Sequence, residues 1–180
     1  TNPRTTITGL DETEKIALKT YNPTWFVKYC IKLLGRAEAL KFLEQSTKIT
    51  PTYIRINTLK APTETILQNI QQENITIEKV PNLKHTYKLI ETEKPLTRTE
   101  SFKQGLFYIQ DKASCLATEI ADPKQGMTVL DVCAAPGSKT TYLSQLMQNT
   151  GKIISMDYSK RRLHVWKNVT KRMGTENAEP

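Results

Sequence analysis

At 180 residues the chain has room for one ordinary domain or two small ones. Hydrophobic residues make up 38 %, and no apolar run approaches the roughly 18 residues of a helical membrane span. The net charge of +8 favours a polyanionic partner such as nucleic acid, although a lysine-rich solvated surface gives the same count.

Three cysteines, Cys30, Cys115 and Cys133, are too few and too scattered for a disulfide framework or a metal site. No metal is therefore expected, and the compartment is expected to be reducing, the cytoplasm. The polar, threonine-rich start shows no signal-peptide pattern. Thr1 in place of methionine predicts a trimmed piece of a longer chain.

Asn22 and Pro23 are expected to open a helix as N-cap and first helical residue. Trp25, Phe26, Tyr29, Cys30 and Leu33 then recur at helical spacing. Gly35 interrupts, and a second helix follows over 38–45 with Leu40 and Leu43 apolar. Residues 1–48 thus form a predicted N-terminal helical segment.

From Thr50-Pro51 the period changes. Ile54 and Ile56 fall on one face of a predicted strand, and Tyr53, Arg55 and Asn57 on the other, expected to be exposed. A helix opens at Ala61-Pro62-Thr63 with Ile66, Leu67 and Ile70 on one side, and strands are predicted at 75–77 and 85–89. The polar stretch 91–101, with Pro95, predicts a loop. Residues 49–104 therefore read as a small α/β unit.

A third region, 105–180, starts with the apolar strand 106–109. A helix over 111–121 is expected to turn Leu116, Ala117 and Ile120 inward. Then come a strand at Val129, a helix burying Tyr142, Leu143, Leu146 and Met147, a strand at Ile153, and a last helix capped by Ser159. In that helix Leu163, Trp166, Val169 and Met173 form the apolar stripe, with Lys160, Arg161, Arg162, Lys167, Lys171 and Arg172 off it as a candidate phosphate-tracking face. His85 and His164 have no metal-ligand spacing around them. Alternating strands and helices predict a parallel sheet with right-handed crossovers.

The chemistry concentrates at Cys133-Ala134-Ala135-Pro136-Gly137-Ser138-Lys139, a tight turn between strand and helix. It has one glycine, so it is neither the three-glycine dinucleotide fingerprint nor a P-loop. A helix N-terminus there would still hold a carboxylate such as that of S-adenosylmethionine, through free N–H groups and the helix dipole. About 20 residues on, Asp157 ends the next strand and is placed to take both hydroxyls of a ribose. The bland readings are a turn of small residues made only for tight packing, and an Asp157 that merely caps the next helix.

These residues carry a family resemblance. Asp131-Val132-Cys133-Ala134-Ala135-Pro136-Gly137-Ser138-Lys139-Thr140, the upstream stretch Gly105 to Ser114 and the strand Tyr53 to Lys60 resemble the RNA cytosine-C5 methyltransferases of the NOL1/NOP2/Sun group, in the expected order. The resemblance covers roughly 20–174. It implies an RNA-recognition-like unit followed by the first half of a Rossmann-like methyltransferase sheet. It implies that residues 133–139 and Asp157, with Arg162, line S-adenosylmethionine. Tyr53, Arg55, Asn57 and Lys60, basic groups beside a stacking ring, suit tRNA or rRNA, with Gln110 of the matching upstream stretch added to them; the other reading of that strand face is a solvated one. The family's nucleophilic cysteine follows threonine and its second cysteine follows proline. Neither context occurs here, so no catalytic residue is expected in this chain. The resemblance places the catalytic half, and the strands that complete the sheet, beyond Pro180. Two rivals stay open: a non-catalytic RNA-binding module on a methyltransferase-like half-fold, and a methyltransferase of another substrate class.

Overall fold

The structure is a computed structural model that describes residues 9–180. The chain divides into two compact units, Thr1–Thr50 and Pro51–Pro180.

The first unit is helical. α1 (Glu12–Thr20) opens on a capping box, in which Asp11 accepts from Glu14 N at 2.7 Å and Glu14 accepts from Asp11 N at 2.9 Å. α2 (Thr24–Leu34) starts with Pro23, not Asn22, at the N-cap, because Asn22 donates its side chain to Thr20 O instead. Gly35, at φ 75°, separates it from α3 (Arg36–Ser46). Ile16, Ala17, Val27, Cys30, Ala39 and Leu43 make the core, whereas Trp25, Tyr29 and Leu33 of the helical repeat lie exposed.

The second unit begins with β1 (Tyr53–Ile56), α4 (Thr63–Gln72), β2 (Ile75–Lys79) and β3 (Thr86–Thr92). A 3₁₀ turn (Leu96–Arg98), α5 (Glu100–Lys103) and β4 (Phe107–Ile109) follow. The four strands form an antiparallel sheet in the order β2-β3-β1-β4. This β-α-β-β-α-β arrangement is the split βαβ motif. It therefore claims the strand 107–109, which the sequence assigned to the next region. Within the stretch 91–101, expected as a loop, β3 runs on to Thr92, the 3₁₀ turn follows at Leu96–Arg98, and α5 opens at Glu100 with Thr99 as its cap. Ile54, Ile56, Ile66, Ile70 and Phe107 pack one face, each burial contributing roughly 1.5–3 kcal/mol.

The same unit continues with α6 (Lys112–Ala121), β5 (Thr128–Asp131), α7 (Ser138–Leu146), β6 (Lys152–Ser155), α8 (Lys160–Met173) and β7 (Ala178–Glu179). β5, β6 and β7 form a parallel sheet in that order. A third parallel strand is thus in place where the sequence showed only two. α7 is buried nearly all round, Thr140, Thr141, Tyr142 and Ser144 included. The inward stripe expected of α6 is reversed: Cys115 and Thr118 are buried, while Leu116, Ala117 and Ile120 face out. Periodicity locates an apolar arc but does not say which arc a neighbour covers, and here α7 meets the Cys115 side. Leu130 of β5 is also exposed, with Val132 and Met156 beyond the strand ends.

Among the described residues no helix is long and apolar enough to cross a membrane, and no group of three or more His, Cys, Asp or Glu could hold a metal ion.

Candidate functional site

The small-residue turn leaves the C-terminal end of β5 and crosses the end of β6. Met156 N donates to Asp131 O at 2.8 Å, and Ala134 N donates to Met156 O at 3.0 Å. Ligands of open α/β sheets bind at this end of the strands. Gly137, at φ 111°, is the N-cap of α7 and offers no side chain to its N–H groups. A Cβ there would stand 3.2 Å from Val169 Cγ1 and 3.4 Å from Trp166 Cδ1. Its left-handed backbone favours glycine, and a Cβ would also crowd α8 by a few tenths of an ångström. Cys133, Pro136 and Lys139 are exposed, Ser138 is half-buried, and Ala134 and Ala135 are buried.

A buried polar triad supports the turn from below. Thr140, the third residue of α7, donates to Asp131 Oδ2 at 2.7 Å and accepts from Trp166 Nε1 at 3.1 Å. The sequence reading missed Asp131, Thr140 and Trp166 as a set. The available signal was a strand-end acid nine residues before a first-turn threonine.

Asp157 sits where the sequence placed it, but its carboxylate is not open. It accepts from Ala135 N at 3.2 Å and Ser159 N at 3.1 Å and pairs with Arg162 Nη1 at 3.3 Å, and the side chain is 1 % exposed. Arg162 also donates to Ala135 O at 2.5 Å. One acid and one guanidinium therefore clamp the turn to the start of α8. Ser159 caps that helix by accepting from Arg162 N.

The residues expected to meet RNA on an exposed strand face require correction. Both faces of the antiparallel sheet are covered. Thr86, Arg55 and Tyr108 stand side by side across β3, β1 and β4, and that row meets α6 and α7. Arg55 is fully buried: it donates to Thr141 Oγ1 at 2.9 Å and lies 4.5 Å from the Tyr142 ring centroid. Asn57, 1 % exposed, donates to Gly105 O and Met173 O. Gln110, 4 % exposed, donates to Ser114 Oγ. These three polar groups join the antiparallel sheet and its neighbouring helices and turn no surface to a partner. Tyr53 is half-buried with the Lys112 ammonium 5.8 Å from its ring centroid, and Lys60 is exposed. Arg172, counted on the cationic face of α8, instead donates to Phe102 O at 2.6 Å and stacks 4.1 Å from the Phe102 centroid.

His85, half-buried beside Tyr142, is held down to a pKa of about 4, first by desolvation and then by the Lys79 charge. The Tyr142 hydroxyl donates to Glu119, and burial followed by that bond raises its pKa. Cys30 and Cys115 are buried packing thiols, burial raising the pKa of Cys115, and Cys133 is exposed in the turn.

The split βαβ sheet abutting a parallel sheet, with a turn at the strand ends and an acid behind it, defines an α/β protein of the methyltransferase class. A methyltransferase homolog protein of Pyrococcus horikoshii superposes with a TM-score of 0.80 at 31 % identity, over 94 % of this chain and 56 % of that one. The profile of the family described as 16S rRNA methyltransferase RsmB/F matches residues 118–179, and the profile of the N-terminal domain of 16S rRNA methyltransferase RsmF matches residues 23–112. The chain belongs to this family. It is 32 % identical over 164 residues to the probable ribosomal RNA small subunit methyltransferase B of Bacillus subtilis, covering 91 % of this chain and 36 % of that protein. It is 38 % identical over 84 residues to a tRNA (cytosine(72)-C(5))-methyltransferase of Pyrococcus horikoshii, covering 47 % of this chain and 22 % of that protein. The chain thus spans about a third or less of the curated relatives it matches.

Proposed function

We propose that this chain is the cofactor-holding and RNA-docking part of an S-adenosylmethionine-dependent RNA cytosine-C5 methyltransferase. The observation that carries the reading is the uncapped N-terminus of α7 beside the Asp157 carboxylate, at the C-terminal end of parallel strands. The first N–H groups of α7 suit the carboxylate of the cofactor. A ribose reaches the Asp157 carboxylate by displacing the exposed Arg162 guanidinium, while Ala135 N and Ser159 N keep their bonds to it. Cys133, Pro136 and Lys139, exposed, and Ser138, half-buried, form the rim against which the ligand lies. S-adenosylmethionine supplies an electrophilic methyl group.

Cytosine C5 is a weak nucleophile, and its activation calls for a thiolate attacking C6. Cys30 and Cys115 are buried, and Cys133 belongs to the turn. The attacking thiolate is therefore supplied from outside these 180 residues. The rRNA small subunit methyltransferase and the tRNA (cytosine(72)-C(5))-methyltransferase to which the chain is similar support this class of substrate.

Incubation with methyl-tritiated S-adenosylmethionine and an RNA transcript tests the assignment. The expected result is bound cofactor without transfer to cytosine C5. Transfer that survives Cys133→Ala would overturn the mechanism.

A further inference from the structure

The first unit keeps an aromatic stripe in water. α2 buries Val27 and Cys30, while Trp25, Tyr29 and Leu33 are 69, 56 and 65 % exposed. Their i, i+4, i+8 spacing stacks them on one face, about 6 Å apart along the axis. None of the three belongs to the unit's core cluster. Phe26 meets the Trp25 ring edge-on at 5.7 Å, which helps to fix the indole plane.

Lys28 and Lys32 flank this stripe, one helical turn apart and exposed. α2 contains no Asp or Glu, and neither lysine is in an ion pair among the described residues. Flat rings edged by unpaired cations match the composition of single-stranded nucleic-acid platforms, where bases stack and phosphates follow the charge.

We propose that the exposed face of α2 binds single-stranded RNA, with Trp25 and Tyr29 receiving bases and Lys28 and Lys32 receiving phosphates. This rests on the RNA methyltransferase reading and adds a docking surface on the helical unit. A second copy of the chain is the poorer occupant. A self-complementary contact across this stripe would bring four lysines and no acid of α2 into one interface, between chains of net charge +8. A polyanion removes that repulsion.

Titration of the chain with oligouridylate, read by tryptophan fluorescence and by anisotropy, tests the platform. Trp25 is exposed and Trp166 is 3 % exposed, so quenching reports on Trp25. Quenching is expected in the parent and absent in Trp25→Leu. Trp25→Leu and Tyr29→Leu should each weaken binding by about 5- to 150-fold, the scale of one stacked base. Lys28→Gln and Lys32→Gln should each flatten the log–log salt slope by about 0.7. Thermal melts of the variants should match the parent, because all four side chains are exposed.

RNA binding that none of these substitutions changes would overturn the platform and leave the proposed function standing. A parent that takes up S-adenosylmethionine but no RNA would overturn the platform and the RNA-docking half of that function together. A parent dimer that Trp25→Leu dissociates would make the stripe a contact between copies and sink the proposal.

Discussion

Arg55 donates through Nη2 to Thr141 Oγ1 at 2.9 Å, joining residues 86 positions apart. Thr141 Oγ1 in turn donates to Ser138 O at 3.2 Å, in the first turn of the helix that starts at the candidate cofactor turn. Gln145 adds a second tie, donating from Nε2 to Ile56 O at 3.1 Å. α7 is thereby bolted along its length to β1, so the antiparallel sheet acts as the foundation of the turn.

Arg55 is nevertheless an expensive foundation. Its Nε and Nη1 have no partner, and burial lowers its pKa to about 10. Arg55→Met keeps most of the volume and removes the desolvated charge, while it loses one hydrogen bond and a cation–π contact worth about 1–3 kcal/mol together. The two effects nearly cancel, so Met should fall within about 1 kcal/mol of the parent. Arg55→Ala should cost about 2–5 kcal/mol through the cavity it opens. Urea melts measure both; a Met variant as damaged as Ala would contradict this balance.

The triad under the turn should be costly to break. Thr140→Val conserves shape but leaves the Asp131 carboxylate and the Trp166 N–H without Thr140 as partner. The expected loss is about 2–4 kcal/mol, seen as a lower denaturant midpoint at unchanged slope. An unchanged midpoint would mean that both groups find other partners.

Two glycines separate conformation from contact. Gly105 and Gly126 have φ of 78° and 79°. A Cβ on Gly105 would lie 2.1 Å from Arg172 O, whereas on Gly126 it would meet nothing within 4 Å. Gly126→Ala should cost about 1–2 kcal/mol for the left-handed backbone alone. Gly105→Ala adds a backbone clash with the end of α8 and should cost clearly more. Equal melting temperatures for the two variants would contradict the packing of α8 on the β4 entry.

His85 sets an acid limb. Its folded pKa of about 4 lies below the usual 6.5, so the unfolded chain binds the extra proton between these values. Stability should therefore fall as pH drops from 6.5 toward 4, by no more than about 2 kcal/mol once partial exposure is discounted. Lys79, Glu119, Arg55 and Lys84 are the charged groups acting on it. His85→Gln should flatten that limb in pH-dependent melts, and an unaltered limb would assign it to carboxylates.

Much of this was legible in the sequence because periodicity reports elements directly. The alternation around Ile54 and the stripe of α8 both appear in place. What periodicity does not carry is the identity of the neighbour. Arg55 and Asn57 alternate with isoleucines as a solvated face does, yet α6 and α7 cover them. Leu116 and Ile120 read as a core stripe and lie in water. The turn was legible because its small residues and the strand-end acid are local, whereas the pairing of Asp157 with Arg162 and Ala135 depends on how α8 closes over it.

The central claim is that residues 133–139 and Asp157 hold S-adenosylmethionine. Calorimetric titration of the chain with that cofactor, beside Asp157→Asn, measures it most directly. The prediction is saturable 1:1 binding by the parent, weakened by about 1–3 kcal/mol in the variant, the scale of a lost charge-assisted bond. Parent and variant binding with equal affinity, or a folded parent with no binding heat, would contradict it.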